Sequence, residues 1–123
     1  MPYQISFTID HKQLICVARG ERDYTNSLNL WKQILEQVSK NNIQTLLLDL
    51  HMTGRFLPNQ NLALTQVLVE MVKPFKLTIA LVDRQSESFH DNYLSGVIAK
   101  QQDIRIKIFS EFDAAQGWLD SFI

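Results

Sequence analysis

Hydrophobic and polar residues alternate along the first ten positions of the chain. Apolar side chains stand at every odd position from Tyr3 to Ile9, which is the period of a strand with one buried face. After a short polar break at residues 10–12, the segment from Leu14 to Ala18 is apolar at nearly every position. This pattern predicts a second strand that lies deeper in the sheet and pairs with the first as a hairpin.

Four later segments have apolar residues at helical spacing. The first helix is predicted to begin after Asp23 or Thr25, either of which can cap it, and to end at residues 41–42. The second has Pro58 in its first turn, where the missing N–H costs nothing, and it ends at Pro74.

The third helix is predicted to start at Ser88, whose hydroxyl can cap it, and to run to about Gln101. The fourth follows residues 110–113, Ser-Glu-Phe-Asp, which resemble a capping box. Its apolar residues are Ala114, Ala115, Trp118, Leu119 and Phe122.

Three more strands lie between these helices. Residues 45–50 and 77–82 are compact apolar runs, typical of parallel strands covered on both faces, while residues 104–108 alternate and predict an edge strand. The order is β-β-α-β-α-β-α-β-α. Because strand-helix-strand crossovers give parallel pairing, we expect an α/β fold with a mixed five-stranded sheet, in one domain that spans residues 1–123.

Composition narrows the functional classes. The chain has 123 residues, 46% of them hydrophobic and 20% charged, which is typical of a globular protein with a packed core. A net charge of −1 with scattered basic residues disfavours nucleic-acid binding. The apolar runs are too short for an integral membrane segment, and the alternating N-terminus does not resemble a signal peptide, so a cytoplasmic location is predicted.

The single cysteine, Cys16, cannot form an internal disulfide. It lies in the apolar segment QLICVA, without a neighbouring histidine or cation that would lower its pKa. We therefore interpret it as a small buried hydrophobic residue and not as a reactive thiol.

Candidate chemistry is expected in the segments that follow the parallel strands, because ligands of such sheets bind beyond the carboxyl ends of the strands. These segments carry the residue types of a nucleophilic triad, but no G-x-S-x-G turn presents a serine. The residues concerned are Asp49, His51, Asp83, Ser86, Ser88 and His90.

Metal and nucleotide chemistry are also disfavoured. His51, His90 and Asp91 do not form an H-E-x-x-H motif, and there is no cysteine pair. The four glycines form no phosphate-binding loop. We therefore predict a protein that is not an enzyme and has no metal and no cofactor.

A weaker anion site could be built from His51, Arg55 and Arg84 near the N-terminus of the helix at Pro58, although loop arginines are usually just solvated.

The C-terminal segment IRIKIFSEFDAAQGWLDSF leads from a strand into the pattern F-x-x-x-x-x-A-x-x-W-L. Together with the order of strands and helices, this pattern resembles the SpoIIAA-like branch of the STAS superfamily, which is related to anti-sigma factor antagonists. The matching residues are Asp49, Phe109, Ala115, Trp118 and Leu119.

The resemblance implies a small regulatory module without catalytic machinery. In the better known antagonists, a D-S-S-G-like motif places a phosphorylatable serine at the N-terminus of the helix after the third strand. Here the corresponding segment is RFLPNQNLAL, with Asn59 and Asn61 but no hydroxyl residue. Thr53 lies earlier in the loop and is the candidate for a modification site in its place.

Two functions from different classes follow. In the first, the third-strand loop and the next helix dock a protein partner or a second copy of the chain, with Met52, Phe56 and Leu57 exposed beside polar residues. The residues proposed for this surface are His51, Thr53, Arg55, Phe56, Asn59 and Arg84.

In the second, the resemblance to lipid-carrier-like relatives implies that the helices enclose a pocket for a small apolar or lipid-like ligand. Core packing is the alternative explanation for the same apolar residues. The lining residues proposed for the pocket are Leu57, Leu62, Leu68, Phe89 and Tyr93.

Overall fold

The computed structural model describes residues 3–122, apart from the side chains of residues 86 and 87. Within this range the predicted order of strands and helices is confirmed. The strands are β1 (Gln4–Asp10), β2 (Gln13–Glu21), β3 (Thr45–Thr53), β4 (Thr78–Asp83) and β5 (Arg105–Phe109). The helices are α1 (Tyr24–Asn41), α2 (Pro58–Val72), α3 (Ser86–Gln101) and α4 (Phe112–Asp120), with a short 3-10 helix (Lys73–Phe75) after α2.

The five strands form one mixed sheet in the order β1-β2-β3-β4-β5. β1 pairs antiparallel with β2, and the remaining pairs are parallel. Each crossover connects neighbouring strands in the same direction, so right-handed connections place α1, α2 and α3 on one face of the sheet. α4 follows the last strand and covers the opposite face.

The larger hydrophobic core lies between the sheet and the first three helices. It includes Trp31 and Ile34 of α1, Val69 of α2 and Ala99 of α3. The smaller core is on the other face, where Ala115 and Leu119 of α4 pack with strand residues. The strand residues of the smaller core are Leu47, Ala80 and Val82.

Several helix ends are those expected from the sequence. The backbone N–H of Asn26 donates to Asp23 Oδ2 at 3.3 Å, so Asp23 caps α1. Asn42 follows the helix with φ 53°, the left-handed conformation that asparagine tolerates at this position. Pro58 is the first residue of α2, as predicted.

Two predicted helix starts are wrong. α3 begins two residues before Ser88, and the Ser88 hydroxyl donates to Asp83 Oδ2 at 2.7 Å instead of capping the helix. α4 has Glu111 as its N-cap residue and no side-chain capping bond, so Ser110 does not form the expected capping box.

β3 is three residues longer than predicted, because it pairs with β2 as far as Glu21↔Thr53. His51 is therefore a strand residue like Asp49, and both share a face with Leu47 under α4. At the outer edge, Arg105 and Lys107 of β5 are exposed and alternate with buried Ile106, as predicted for an edge strand. No helix of residues 3–122 is both long and apolar enough to cross a membrane.

Cys16 is fully buried in β2, where it pairs with Phe7 of β1 and Leu48 of β3. Burial raises the pKa of the Cys16 thiol from 9.0 to about 12. The unfolded thiol ionises above pH 9, whereas the folded thiol stays protonated up to about pH 12. The stability that this difference contributes is therefore present below pH 9 and is lost as the pH rises toward 12.

We expect wild type to lose about 1.4 kcal/mol more stability than Cys16→Ala when the pH is raised from 8 to 10. Urea unfolding of both proteins at the two pH values measures the difference. The comparison between pH values removes the cost of the smaller side chain itself. Equal losses in the two proteins would show that the buried thiol does not set this part of the pH dependence.

Candidate functional site

The carboxyl ends of β2, β3 and β4 lie at one edge of the sheet, because these strands are parallel. The segments that leave this edge are residues 22–23, 54–57 and 84–85. Two buried aspartates near the edge lie on opposite faces. Asp83 follows Leu81 in alternation and is on the three-helix face, whereas Asp49 follows Leu47 and is on the α4 face.

Asp83 is the centre of a buried polar cluster. Its Oδ2 accepts hydrogen bonds from Arg22 Nη2 at 3.0 Å, Ser88 Oγ at 2.7 Å and Asn92 Nδ2 at 2.6 Å. Its Oδ1 accepts from the backbone N–H of Gln85 at 3.1 Å. Asp83 is only 1% exposed, so these donors replace the water that the carboxylate loses on folding.

Arg22 connects this cluster to the loop between β3 and α2. Its side chain is 6% exposed, and its Nη1 donates to the Gly54 carbonyl at 3.1 Å and to Gln85 Oε1 at 2.8 Å. Its backbone N–H donates to the Thr53 carbonyl at 2.9 Å. The hydrogen bonds of Arg22 therefore link the segments that follow β2, β3 and β4.

A second cluster lies on the α4 face. Arg84 Nη1 donates to Asp49 Oδ1, and His51 Nε2 is 3.2 Å from Asp49 Oδ2 and 3.0 Å from Arg84 Nη1. Asp49 is buried, His51 is partly exposed and Arg84 is exposed. The structure thus brings together two of the predicted site residues, His51 and Arg84, and adds Asp49 as their shared anion.

The third predicted cation, Arg55, lies elsewhere. Its Nε and Nη2 donate to the two carboxylate oxygens of Asp91 at 2.9 and 3.0 Å, which joins the loop to α3. His51 is directed to the α4 face because β3 continues through it, whereas α2 and α3 lie on the other face. The expected convergence of His51, Arg55 and Arg84 on the N-terminus of α2 is therefore wrong.

The loop Gly54–Leu57 has an inward and an outward side. Gly54 has φ +81°, which favours glycine, and the next residues turn toward α2. Phe56 is partly buried, whereas Leu57 is 63% exposed. Met52 was expected at the surface but is buried, because its place in β3 directs it to the three-helix core.

The remaining predicted residues are at the surface. Thr53 ends β3, and its Oγ1 donates to the Gly20 carbonyl at 3.4 Å. Asn59 is in the first turn of α2, where its Oδ1 accepts from the backbone N–H of Gln60 at 3.0 Å. Both residues are exposed and border the Gly54–Leu57 loop.

A cavity of about 120 Å³ lies between the sheet and the first three helices. Phe56 of the loop and Arg22 and Asn92 of the Asp83 cluster contribute to its lining, so one end lies at the carboxyl edge of the sheet. Of the residues proposed from the sequence, Leu68 lines the cavity. Three others are exposed at the surface, namely Leu57, Leu62 and Tyr93, and Phe89 is partly buried outside the lining.

The described side chains do not assemble a nucleophilic triad. The Ser88 hydroxyl is bonded to Asp83 on the three-helix face, whereas His51 is on the opposite face with Asp49. The predicted candidate Ser86 lies outside the described side chains. Within residues 3–122, no group of three His, Cys, Asp or Glu side chains is arranged to hold a metal ion. The charged groups described here hold one another in place.

The sheet has a leading hairpin, with three helices on one face and a fourth on the other. No family model matches the chain, and no curated protein matches its sequence. Among solved structures, it is similar to the anti-sigma factor antagonist SpoIIAA in its unphosphorylated form. The TM-score is 0.52 over 98% of this chain and 96% of that one, with 9% identical residues. The resemblance seen in the sequence is thus confirmed at the level of the fold.

Proposed function

We propose that this chain is a non-enzymatic regulatory module that binds a protein partner, or a second copy of itself, through the surface formed by Gly54–Leu57 and Asn59. The similarity to an anti-sigma factor antagonist supports a role in protein interaction at the level of the fold.

The observation that carries the proposal is an exposed leucine in a loop that is fixed on both sides. Arg22 binds the Gly54 carbonyl, and Arg55 binds Asp91 with two hydrogen bonds. Leu57 stands beside these anchors with 63% of its surface exposed. A fixed loop loses little conformational entropy on binding, and an apolar side chain with a polar surround is typical of the centre of an interface.

Thr53 remains the proposed modification site, although it differs from the position of a helix-terminal phosphoserine. It is exposed at the end of β3, next to the docking loop. A phosphate there would add negative charge beside Gly54 and Arg55, where it would change the charge that a partner meets. The predicted cytoplasmic location belongs to the same proposal.

We expect Leu57→Ser to weaken partner binding at least tenfold, because burying a leucine side chain contributes about 1.5–3 kcal/mol. The matched control is Ile9→Ser, which removes a 42% exposed apolar side chain from β1. The tagged wild-type chain is used to capture a partner from extracts of its own cells, and the purified partner is then titrated with each variant by calorimetry.

Light scattering after size-exclusion chromatography tests self-association with the same three proteins. Loss of binding or of dimer in Leu57→Ser, with Ile9→Ser unchanged, supports the loop as the docking surface. Equal affinities for the two variants would contradict it. A wild-type chain that stays monomeric and captures no specific partner would contradict the proposed function as a whole.

The alternative function, a module for a small apolar ligand, is favoured by one observation. The cavity between the sheet and the three helices is lined mainly by aliphatic side chains and ends at the same edge as the docking loop.

A further inference from the structure

We propose that this cavity binds a small neutral molecule with an apolar body and one hydrogen-bond donor, such as an alcohol or a phenol. The inference rests on the alternative function and is independent of partner docking at Leu57, which is not a lining residue. It specifies the size, charge and polarity of the ligand.

The expected size of the ligand follows from the volume of the cavity and from the residues that line it. Aliphatic side chains of the sheet and of α2 form most of the wall, and Trp31 of α1 adds an aromatic surface. Dry apolar cavities of about 150 Å³ in other proteins bind a molecule as large as benzene. A cavity of about 120 Å³ therefore suits one aromatic ring or a short aliphatic chain. A long acyl chain would not fit within it.

Besides Arg22, and Tyr3 and Ser27, which bond to each other at 2.8 Å, the polar residues of the lining lie where α2 meets α3. Thr65 Oγ1 donates to the Asn61 carbonyl at 2.8 Å and is 2.8 Å from Ser95 Oγ. Asn61 Nδ2 also donates to Ser95 Oγ at 3.3 Å, and Asn92 Nδ2 donates to Asp83. Because the Thr65 hydroxyl donates to the Asn61 carbonyl, Ser95 donates to Thr65, and the lone pairs that remain on these two hydroxyl oxygens can accept a hydrogen bond from a ligand.

The expected charge of the ligand depends on Arg22. Among the described residues that line the cavity, Arg22 is the one charged residue. Its guanidinium is paired with buried Asp83 and also bonds to Gln85 and Gly54. An anionic ligand would bring a second negative charge close to buried Asp83, and like charges in a buried site are destabilising. A neutral ligand leaves the ion pair intact, so the cavity is expected to prefer it.

The test uses three ligands that share one aromatic ring, namely benzyl alcohol, toluene and benzoate. Each is titrated into the full chain with labelled methyl groups, and the shifts are followed by NMR. We expect saturable shifts in lining methyls such as those of Leu48, Val72 and Ile79, with a Kd for benzyl alcohol on the order of 1 mM or tighter. Toluene should bind several-fold more weakly, and benzoate at least tenfold more weakly.

Two adjacent residues of α2 provide a matched pair of variants. Leu68→Phe enlarges a lining side chain and should weaken benzyl alcohol binding at least tenfold. Val67→Phe makes a similar addition at a position that is 40% exposed and outside the lining, so it should bind as wild type does. If Leu68→Phe unfolds, Ser95→Ala replaces it, and that variant should lose affinity for benzyl alcohol but not for toluene.

The absence of saturable shifts in lining methyls would overturn the site. Equal binding by Leu68→Phe and wild type would overturn its location, and benzoate that binds as tightly as benzyl alcohol would overturn the ligand class. Partner binding measured with Leu57→Ser is unaffected by any of these results, so the failure of the cavity proposal is separate from that of the docking surface.

Discussion

Asp83→Asn is expected to lower the free energy of unfolding by about 3–5 kcal/mol, because removing one partner of a buried ion pair leaves the other charge uncompensated. The partner here is Arg22, whose side chain is 6% exposed. The substitution keeps the size of the side chain but removes the negative charge that Arg22, Ser88 and Asn92 surround. The cost is expected to be large because little water can reach the cluster.

Urea unfolding measures this loss, with Asp10→Asn as the control. Asp10 is 74% exposed beside His11, and surface changes of this kind usually alter stability by less than about 0.5 kcal/mol. The double variant Arg22→Met, Asp83→Leu removes both charges and should recover much of the stability lost in Asp83→Asn. A loss below about 1 kcal/mol in Asp83→Asn would show that Arg22 finds another partner or water.

Leu119→Ala is expected to lower the free energy of unfolding by about 2–5 kcal/mol, the range measured for fully buried leucines. Leu119 is 1% exposed and packs with Ala115 against the α4 face of the sheet. α4 has nine residues, so it depends on this contact and cannot be stable as an isolated helix. The truncation therefore removes much of what holds α4 in place.

The control for this variant is Leu94→Ala, which changes the same residue type on α3 where 47% of the side chain is exposed. We expect it to cost less than about 1 kcal/mol. Thermal unfolding and near-UV circular dichroism, which reports the environment of Trp118 near Phe109 and Phe122, follow the two variants. Equal losses in both would mean that α4 contributes little to the stability of the sheet.

The order of strands and helices could be predicted because it depends on local periodicity. Alternation in residues 3–9, the compact run at 45–50 and the helical stripes each show which face of a segment is buried, and crossover handedness then limits the topology. The helix ends at Asp23, Asn42 and Pro58 could be predicted for the same reason, because each depends on contacts within a few residues.

The end of β3 could not be predicted in this way. His51 has the polarity of a loop residue, but in the structure it is a strand residue whose Nε2 lies 3.0 Å from Arg84 Nη1 and 3.2 Å from Asp49 Oδ2. Arg84 lies 33 positions after His51 and 35 positions after Asp49 in the sequence. When the hydrogen-bond partner of a polar strand residue lies far along the chain, the neighbouring residues do not distinguish it from a loop residue. The strand was therefore predicted to end too early.

The Asp83 cluster was missed for a related reason. Arg22 and Asp83 were both in segments expected to carry chemistry, but they are 61 positions apart, and nothing near either residue identifies the other as its partner. The cavity lining was only partly predicted, because the apolar residues of α2 include inward Leu68 and outward Leu62 alike. Only the packing of α2 against its neighbours determines which of the two leucines faces the cavity.

The exposed cations of β5 also limit how copies of this chain can associate. A second copy that added its own β5 to this edge in antiparallel fashion would place Arg105 and Lys107 near the same cations of the first copy, and like charges opposite each other are destabilising. Growth of the sheet across β5 into a continuous ribbon is therefore unfavourable. Any symmetric dimer should therefore use a different part of the surface.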